Sequence, residues 1–506
     1  MKYRMRFLFA AVAGLMALAS CAEEEPVDTD RFETVALHAW MKLNRPELLE
    51  NYQEEGGYYV DVRKTGDKTA LPVNDTVCWV RFDFSGRDLR GNIVLTRREE
   101  DARLSGTYTK YTHYVPYYRL CGTEPLALLE GTHLAMRNTL TLGQTYYDTY
   151  KDERGFDSRE LLLRPGTVVD LYMPSSVVGS GGVEGDGGYE GQYSLSAGRP
   201  MIVSMEVIST DKNPLEAEGS AVDAFCKQDG GLMLYDNTAL NKRPESDEHA
   251  KHPYNIAERW VNVCDTVPQL YADFRYTPDR KLSFPQASRY KSKYMPYAQF
   301  DELEQKIADA LVERFHADKP YEGVKLLRSD SVTVDGEAKI WYIGRFMDGF
   351  ISDTNIDEVK QLVYGEVASK GSALDYPGSG TISAWSYTVP HLKFGQWAAV
   401  ISTSVYAYGA TGVSGSRTTS GGSSSYYNSY YDYYNYYNYY NSYYGNSYYG
   451  GYYGNYYGGY YGGYYNNYYY DSGIDTDEEE TQQISTEIPP YTPLIFQIYV
   501  EPAEEE

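Results

Sequence analysis

The chain has little positive charge, little histidine and little cysteine. It carries 46 Lys and Arg against 71 Asp and Glu, a formal net charge of −25, with 7 His and 5 Cys. Nucleic acid selects basic surfaces, so we expect no nucleic acid partner. His249 and His252 have metal-like spacing, but they lie in a polar stretch between Pro244 and Pro253. That context favours a solvated loop, and the sequence predicts no metal and no cofactor.

Long apolar runs are also missing, except for a short one near the N-terminus. The chain opens with basic residues, then apolar residues, then Leu18-Ala19-Ser20-Cys21. This run is too short for a membrane span, and acidic residues follow it at once. It resembles a bacterial lipoprotein signal with its lipobox. The resemblance implies a signal peptide at 1–20 and a mature chain held to the membrane by acyl chains on Cys21.

The acidic residues after Cys21 resemble the surface-export signal of Bacteroidetes lipoproteins. We therefore expect an outer membrane lipoprotein that faces the cell surface, with the periplasmic face as the alternative. Disulfides are permitted in either place. Four further cysteines allow three sets of pairings, and the sequence leaves open whether any bond forms. They are Cys78, Cys121, Cys226 and Cys264.

Four segments of the C-terminal half carry the most specific pattern. They are IWYIGRFMDGFISDTN (Ile340 to Asn355), TISAWSYTVPHLKFGQWAAVIS (Thr381 to Ser402), VYAYGATGVSG (Val405 to Gly415) and IPPYTPLIFQIYV (Ile488 to Val500). In this order they resemble the FKBP-type peptidyl-prolyl isomerases, with a Tyr-x-Gly strand, a tryptophan helix, an Ala-Tyr-Gly turn and an Ile-Pro-Pro strand. The resemblance implies an α+β fold in which an antiparallel sheet wraps a short helix.

The resemblance also implies a prolyl-binding pocket. Carried over by position, the catalytic residues would be Tyr342, Asp353 and Tyr408, and the substrate-binding residues would be Ile382, Trp385, Ile488 and Phe496. A prolyl isomerase needs no nucleophile, because its barrier of about 18–20 kcal/mol comes from amide resonance. It has to bind the twisted amide better than the planar one, which an apolar aromatic cup with few hydrogen bonds can do.

Two positions depart from the family pattern. Ser352 stands where an aromatic residue usually precedes the aspartate, and Thr381 stands where an aliphatic residue is usual. We expect both changes to weaken prolyl binding, since an aromatic contact is worth roughly 0.5–1.5 kcal/mol beyond its area. Trp385, Phe496 and Ile382 would also be buried in any sandwich-like sheet, so a purely structural role stays open for each.

The N-terminal half repeats the pattern in a degraded form. The matching stretches are Trp79 to Thr96, Gly166 to Gly182 and Arg199 to Val207, and their residues alternate as half-buried strands do. Phe84, Leu95 and Val178 stand where the second copy has Tyr342, Asp353 and Tyr408. The sequence therefore predicts two FKBP-like domains, of which the first is a binding or scaffolding module.

After the signal peptide, the sequence predicts four consecutive segments, and the last of them contains an insertion. They are an N-terminal segment at 21–55, a degenerate FKBP-like domain at 56–210, a linker at 211–317, and an FKBP-like isomerase domain at 318–506 with an insertion at 416–487. Within the linker, Leu303, Ile307, Leu311 and Phe315 are four apart, which predicts an amphipathic helix. We expect that helix to face a core.

Within the insertion, the stretch from Tyr426 to Tyr470 is almost wholly Tyr, Gly, Asn and Ser and holds 25 of the 56 tyrosines. This central tract has no aliphatic residues and no alternation, so it cannot build a core, which predicts disorder. The sequence thus favours an envelope lipoprotein with prolyl isomerase or chaperone-like activity on proline-containing peptides or exported clients. The alternative is a noncatalytic surface adhesion protein that uses both domains and the tyrosine tract as contact surfaces.

Overall fold

The computed structural model divides the chain into two compact units. The first comprises the residues up to Asp211 other than Tyr108–Tyr114, and the second comprises Tyr108–Tyr114 and the residues from Lys212 onward. The structure describes residues 29–74, 78–106, 108–109, 112–121, 129–178, 199–234, 257–284, 297–315, 337–365, 369–378, 380–413, 415–419 and 482–503. The predicted signal peptide, Cys21 and most of the tyrosine tract lie outside these residues.

The first unit is built on one seven-stranded sheet. Its strands are β1 (Tyr52–Gln53), β2 (Tyr58–Lys64), β3 (Cys78–Asp88), β4 (Ile93–Thr96), β5 (Tyr117–Cys121), β8 (Val168–Met173) and β9 (Met201–Asp211), with a separate pair β6 (Leu140–Thr141) and β7 (Glu160–Leu161). Its helices are α1 (Thr29–Asn44), a 3-10 helix (Pro46–Asn51), α2 (Glu99–Ser105), α3 (Glu130–Arg137), α4 (Gln144–Arg154) and α5 (Ser175–Val178). The strand order is β1-β2-β8-β9-β3-β4, with β5 also on β3.

The second unit has an eight-stranded sheet. Its strands are β10 (Leu232–Met233), β11 (Trp260–Asn262), β12 (Leu270–Asp273), β13 (Ala338–Phe346), β14 (Ile351–Thr354), β15 (Leu374–Tyr376), β16 (Gln396–Ser402) and β19 (Leu494–Pro502), with a separate pair β17 (Ser416–Thr419) and β18 (Gln482–Ser485). Its helices are α6 (Pro214–Gln228), α7 (Tyr297–Phe315), α8 (Asp357–Val363), α9 (Ser383–Thr388) and two 3-10 turns, Val389–His391 and Ser404–Tyr406. The strand order is β10-β11-β12-β16-β19-β13-β14, with β15 also on β13.

The two sheets repeat each other strand for strand, which confirms the α+β fold class. From β2 the first sheet runs β8, β9, β3, β4, and from β12 the second runs β16, β19, β13, β14. Gly86 lies opposite Leu95 and Val203, and Gly344 lies opposite Asp353 and Phe496. A bulge follows each glycine. Both main sheets are antiparallel apart from the short parallel pair β10–β11.

The repeat extends upstream of the region that the sequence motifs mark. Each unit starts with a helix, α1 or α6, and has a buried aspartate at the same register position, Asp61 or Asp273. Arg45 binds Asp61 with an N–O distance of 2.6 Å, and Arg259 binds Asp273 at 2.9 Å. The first unit therefore begins within the predicted N-terminal segment, before residue 56.

The predicted linker at 211–317 is wrong for its described residues. Helices α6 and α7 and strands β10 to β12 belong to the second unit, and β12 pairs with β16 in the middle of its sheet. The amphipathic helix is present as α7, and Ile307, Leu311 and Phe315 face a core as expected. The second unit therefore starts about a hundred residues before the predicted boundary at 318, the length of one small domain.

Not every strand of the second unit alternates between buried and exposed residues. Every residue of β16 is buried. Ala398 and Val400 pack in one core with Trp385, whereas Trp397 and Ile401 pack in another with α6 and α7. A strand that is covered on both faces has a continuous apolar sequence, because neither face is exposed to water.

The ends of the predicted insertion are ordered strands. β17 and β18 pair antiparallel, with Thr419 opposite Gln482. The prediction of disorder over 416–487 is therefore wrong at both ends, while residues 420–481 lie outside the described part of the chain. Below this ribbon, Val413 pairs with Ile488 through two N–O contacts of 2.8 Å. The Ala-Tyr-Gly turn and the Ile-Pro-Pro segment are thus neighbours across the insertion.

Cys78, Cys121, Cys226 and Cys264 form no disulfide in the structure. Cys78 and Cys121 lie opposite each other on β3 and β5. Within the described residues, no helix has both the length and the apolar character to cross a membrane.

Candidate functional site

The β13–β14 hairpin brings together the first two predicted catalytic residues. Tyr342 donates a hydrogen bond from its hydroxyl to Asp353 Oδ2 at 2.6 Å, and the Thr354 N–H donates to Asp353 Oδ1 at 2.8 Å. The strands are close here because position 344 is glycine. A Cβ on Gly344 would lie 3.0 Å from Ser352 Oγ and 3.3 Å from the Phe496 ring. The Tyr-x-Gly motif therefore permits the packing of the tyrosine, the aspartate and the phenylalanine.

Helix α9 supplies the aromatic floor. Its N-cap is Ile382, and Trp385 follows three residues later with its ring centroid 5.2 Å from Tyr342 and 5.5 Å from Phe496. The Trp385 and Phe496 rings meet at 87°, an edge-to-face arrangement that aromatic pairs favour. The Trp385 indole N–H is buried and has no hydrogen-bond partner within the described part of the chain.

The remaining predicted residues surround this floor. Ile488 is buried, and Ile382 and Tyr408 are half-buried against the same core. Tyr408 lies in a turn whose carbonyls accept from Gly412 and Tyr491. All seven predicted residues thus belong to one cluster, although their chemical roles follow from the resemblance alone.

The electrostatics of the cluster come mainly from burial. Burial raises the pKa of Asp353, and the hydrogen bonds from Tyr342 and Thr354 partly oppose that rise. Burial also raises the pKa of Tyr342 and of Tyr408, and in both cases the nearby Asp353 carboxyl raises it further. The tyrosines therefore stay protonated and remain hydrogen-bond donors at neutral pH.

Sequence reasoning missed Tyr364. It lies at the end of α8, is 1% exposed, and its pKa is raised first by burial and then by Asp353. Tyr364 is thus a buried tyrosine close enough to Asp353 to feel its charge. Only its place directly after an amphipathic stretch, before Gly365, hinted at a helix end, and nothing in the motifs linked it to the pocket.

The two departures from the family pattern have structural partners. Ser352 is buried, and its carbonyl accepts from the Thr486 N–H at 3.1 Å, just beside the β17–β18 ribbon. The Thr381 hydroxyl accepts from the Gly378 N–H at 3.1 Å. The threonine therefore closes a local turn.

The first unit differs at the equivalent place. Phe84 is buried, and Tyr117 of β5 stacks on it with ring centroids 5.0 Å apart. Leu374 occupies the register position of Tyr117 in the second unit. The first unit therefore has an additional aromatic ring packed on Phe84 where the second unit has an aliphatic side chain.

No family model and no curated protein matches this chain. Solved structures of FKBP-type domains do show similarity. The three FKBP domains of wheat FKBP73 align over 90% of this chain and 97% of that chain, at 10% identity and a TM-score of 0.19. A peptidyl-prolyl cis-trans isomerase from Pseudomonas syringae pv. tomato aligns over 37% and 97%, at 14% identity and a TM-score of 0.22. FkpA from Escherichia coli aligns over 41% and 71%, at 10% identity and a TM-score of 0.22.

Proposed function

We propose that the second unit is an FKBP-type peptidyl-prolyl isomerase that acts on exported proteins. The observation that carries the proposal is the 2.6 Å hydrogen bond between Tyr342 and Asp353 at the edge of the Trp385 floor. A half-buried carboxyl group with a tyrosine donor beside apolar aromatic rings is costly to maintain in a core that serves packing alone. A catalytic role for the pair accounts for that cost.

The chemistry follows from what a twisted amide needs. When the X-Pro bond rotates, the nitrogen loses conjugation and the carbonyl becomes less polar, so an apolar cup favours the twisted form. In our proposal Trp385 and Phe496 hold the prolyl ring, and Ile382 and Ile488 border it. Asp353 faces the carbonyl carbon, and the Tyr408 hydroxyl donates to the peptide. No proton is transferred and no bond is made or broken.

Exchange spectroscopy by NMR on a proline tetrapeptide tests this directly in the full chain. Asp353→Leu and Tyr408→Phe should each lower the exchange rate at least fivefold while the chain stays folded, since one positioned hydrogen bond is worth about 1 kcal/mol. Tyr58→Phe is the matched control, because Tyr58 is fully buried in the first unit and its hydroxyl has no described partner. Unchanged rates in both pocket variants would contradict the assignment.

We further propose that the chain is an envelope lipoprotein anchored through Cys21. The support is the N-terminal sequence, in which the lipobox follows a run too short to span a bilayer. Cys21→Ser should release the protein or leave an unprocessed precursor in cell fractionation. A variant that is still processed and membrane-bound would rule the anchor out.

A second function is favoured by one observation. Trp385 is 3% exposed and Phe496 is 2% exposed, so a prolyl ring could reach them only after the surrounding side chains move. A closed pocket fits a noncatalytic adhesion module that makes contacts through the tyrosine tract. Replacing residues 420–481 by a short turn separates the two functions. The isomerase keeps its turnover, whereas the adhesion protein has no turnover and loses partner or cell binding.

A further inference from the structure

A buried glutamate outside the motif segments contacts the turn that carries Tyr408. Glu218 lies on α6 and is 5% exposed. Its Oε2 accepts from the Ser404 N–H at 2.7 Å, and its Oε1 accepts from the Ser404 hydroxyl at 2.8 Å. Both carboxyl oxygens are therefore used by a single residue.

Ser404 is the first residue of that turn. Its carbonyl accepts from the N–H of Ala407 at 2.9 Å and from the N–H of Gly409 at 2.7 Å. The Gly409 carbonyl in turn accepts from the Tyr491 N–H at 3.1 Å. Tyr408 is thus held between two anchors, one from α6 through Ser404 and one from the segment that follows the insertion.

Simple packing does not explain a carboxyl group at this place. Burial raises the pKa of Glu218 to about 7, and the two hydrogen bonds from Ser404 only partly oppose that rise. An apolar residue of the same size would avoid the desolvation cost. The glutamate fixes the position of the backbone at residue 404 through two hydrogen bonds that lie inside the unit.

We propose that Glu218 is a positioning residue for Tyr408, acting through Ser404. The inference rests on the proposed isomerase function of the pocket. Glu218 touches no substrate. It sets where the Tyr408 hydroxyl stands relative to Asp353, and it thereby makes helix α6 part of the active unit.

Two substitutions of similar size test the idea in the full chain. Glu218→Gln keeps an oxygen for the Ser404 N–H and adds an N–H for the hydroxyl, whereas Glu218→Met fills the space with no hydrogen bond. With a Leu-Pro tetrapeptide as substrate, the Glu218→Met variant should have a kcat roughly threefold to tenfold lower than the parent, with little change in KM, since a net hydrogen bond is worth about 0.5–1.5 kcal/mol. Gln should stay within about twofold of the parent.

Hydrogen exchange by mass spectrometry gives a second readout that needs no activity. Glu218→Met should speed exchange in residues 404–412 and leave the α9 segment unchanged, while Glu218→Gln should alter neither. Unchanged exchange at 404–412 in the Met variant overturns the proposal. If the parent shows no turnover but only the Met variant loses protection there, the positioning role stands and the isomerase function fails.

Ser404→Ala covers the case in which the Met variant does not fold. It removes the hydroxyl and leaves the N–H contact with Glu218, so it should speed hydrogen exchange at residues 404–412 by a smaller factor than Glu218→Met does. If Ser404→Ala leaves that exchange unchanged, the proposal is overturned.

Discussion

The two units share a strand order and a register but differ in what their sheets enclose. At the register position of Tyr342 the first unit has Phe84, and the ring of Tyr117 stacks on it. In the second unit the register position of Tyr117 is held by Leu374, and the ring that contacts Tyr342 is Trp385. The same strand order and register therefore accommodate both sets of interior side chains. The difference lies in a few side chains rather than in the backbone.

The pocket helix offers the sharpest test of this difference. Trp385 and Thr132 are each the third residue after the N-cap, Ile382 in α9 and Leu129 in α3. Trp385→Ala should cost the second unit about 3–5 kcal/mol and abolish ligand binding, as expected for a large buried aromatic residue. Thr132→Ala should cost the first unit only about 1 kcal/mol. Denaturant unfolding of both variants measures this, and equal costs would refute a special role for the tryptophan.

A covalent link should be available to the first unit through Cys78 and Cys121. These cysteines are opposite residues of an antiparallel pair, where Cα atoms are about 4.5–5.5 Å apart, within the range that a disulfide spans. Refolding in an oxidised glutathione buffer should join the two sulfurs, with the glutathione disulfide reduced. The bond should stabilise the unit by about 2–4 kcal/mol. Non-reducing peptide mapping checks the pairing, and Cys78→Ser is the control.

One buried carboxyl group in each unit should make a contribution to stability that responds to pH, and the two contributions should respond in opposite directions. Burial alone would raise the pKa of Asp61, but hydrogen bonds from Tyr146, Arg45 and Arg154 lower it. The stability that Asp61 contributes to the first unit is therefore lost as the pH falls through this lowered pKa. Burial raises the pKa of Glu218 from 4.5 to about 7, so the second unit is more stable in acid and loses about 2 kcal/mol from pH 5 to 8.

Urea unfolding of Glu218→Gln against the parent isolates the second of these pH effects. The substitution removes the titrating group, so the gap in unfolding free energy between variant and parent should widen as the pH rises. A gap that stays constant between pH 5 and pH 8 would show that Glu218 does not titrate there.

The smallest effect should come from the tyrosine tract. Halving the segment between Thr419 and Gln482 should change the free energy of unfolding by only about 0.6 kcal/mol, because the entropy of loop closure varies slowly with length. The first unit has no equivalent ribbon among its described residues, and its stability serves as the internal reference. A loss of stability beyond about 1 kcal/mol would mean that the segment packs against the fold, because a flexible loop cannot cost that much.

The sequence was most informative where a motif and a strand coincided. Tyr342, Gly344 and Asp353 could be placed because alternation and the Asp-Gly turn fix the hairpin, and the structure brings them together as expected. The repeat was visible for the same reason. Such local patterns depend on residues close in the chain, so they survive even when the sequence has diverged.

What the sequence missed depends on contacts between distant segments. Strand β12 is short, and it joins the sheet by pairing with β16, which lies more than a hundred residues later in the chain. From the sequence alone, the segment that contains β12 was therefore predicted to be a linker. Tyr364 and Glu218 lie outside every motif, and only tertiary packing brings them to Asp353 and Ser404. Burial of β16 on both faces likewise depends on helices that alternation cannot reveal.

The ribbon formed by β17 and β18 has a practical consequence. Because Thr419 and Gln482 are paired, the chain leaves and re-enters the unit at adjacent points. A change in the number of residues between them need not alter the positions of Val413 and Ile488, which are held by their own pair of hydrogen bonds. Gene segments could expand or contract there by recombination without disturbing the fold. The same junction is a natural place to graft an epitope or a reporter domain for display.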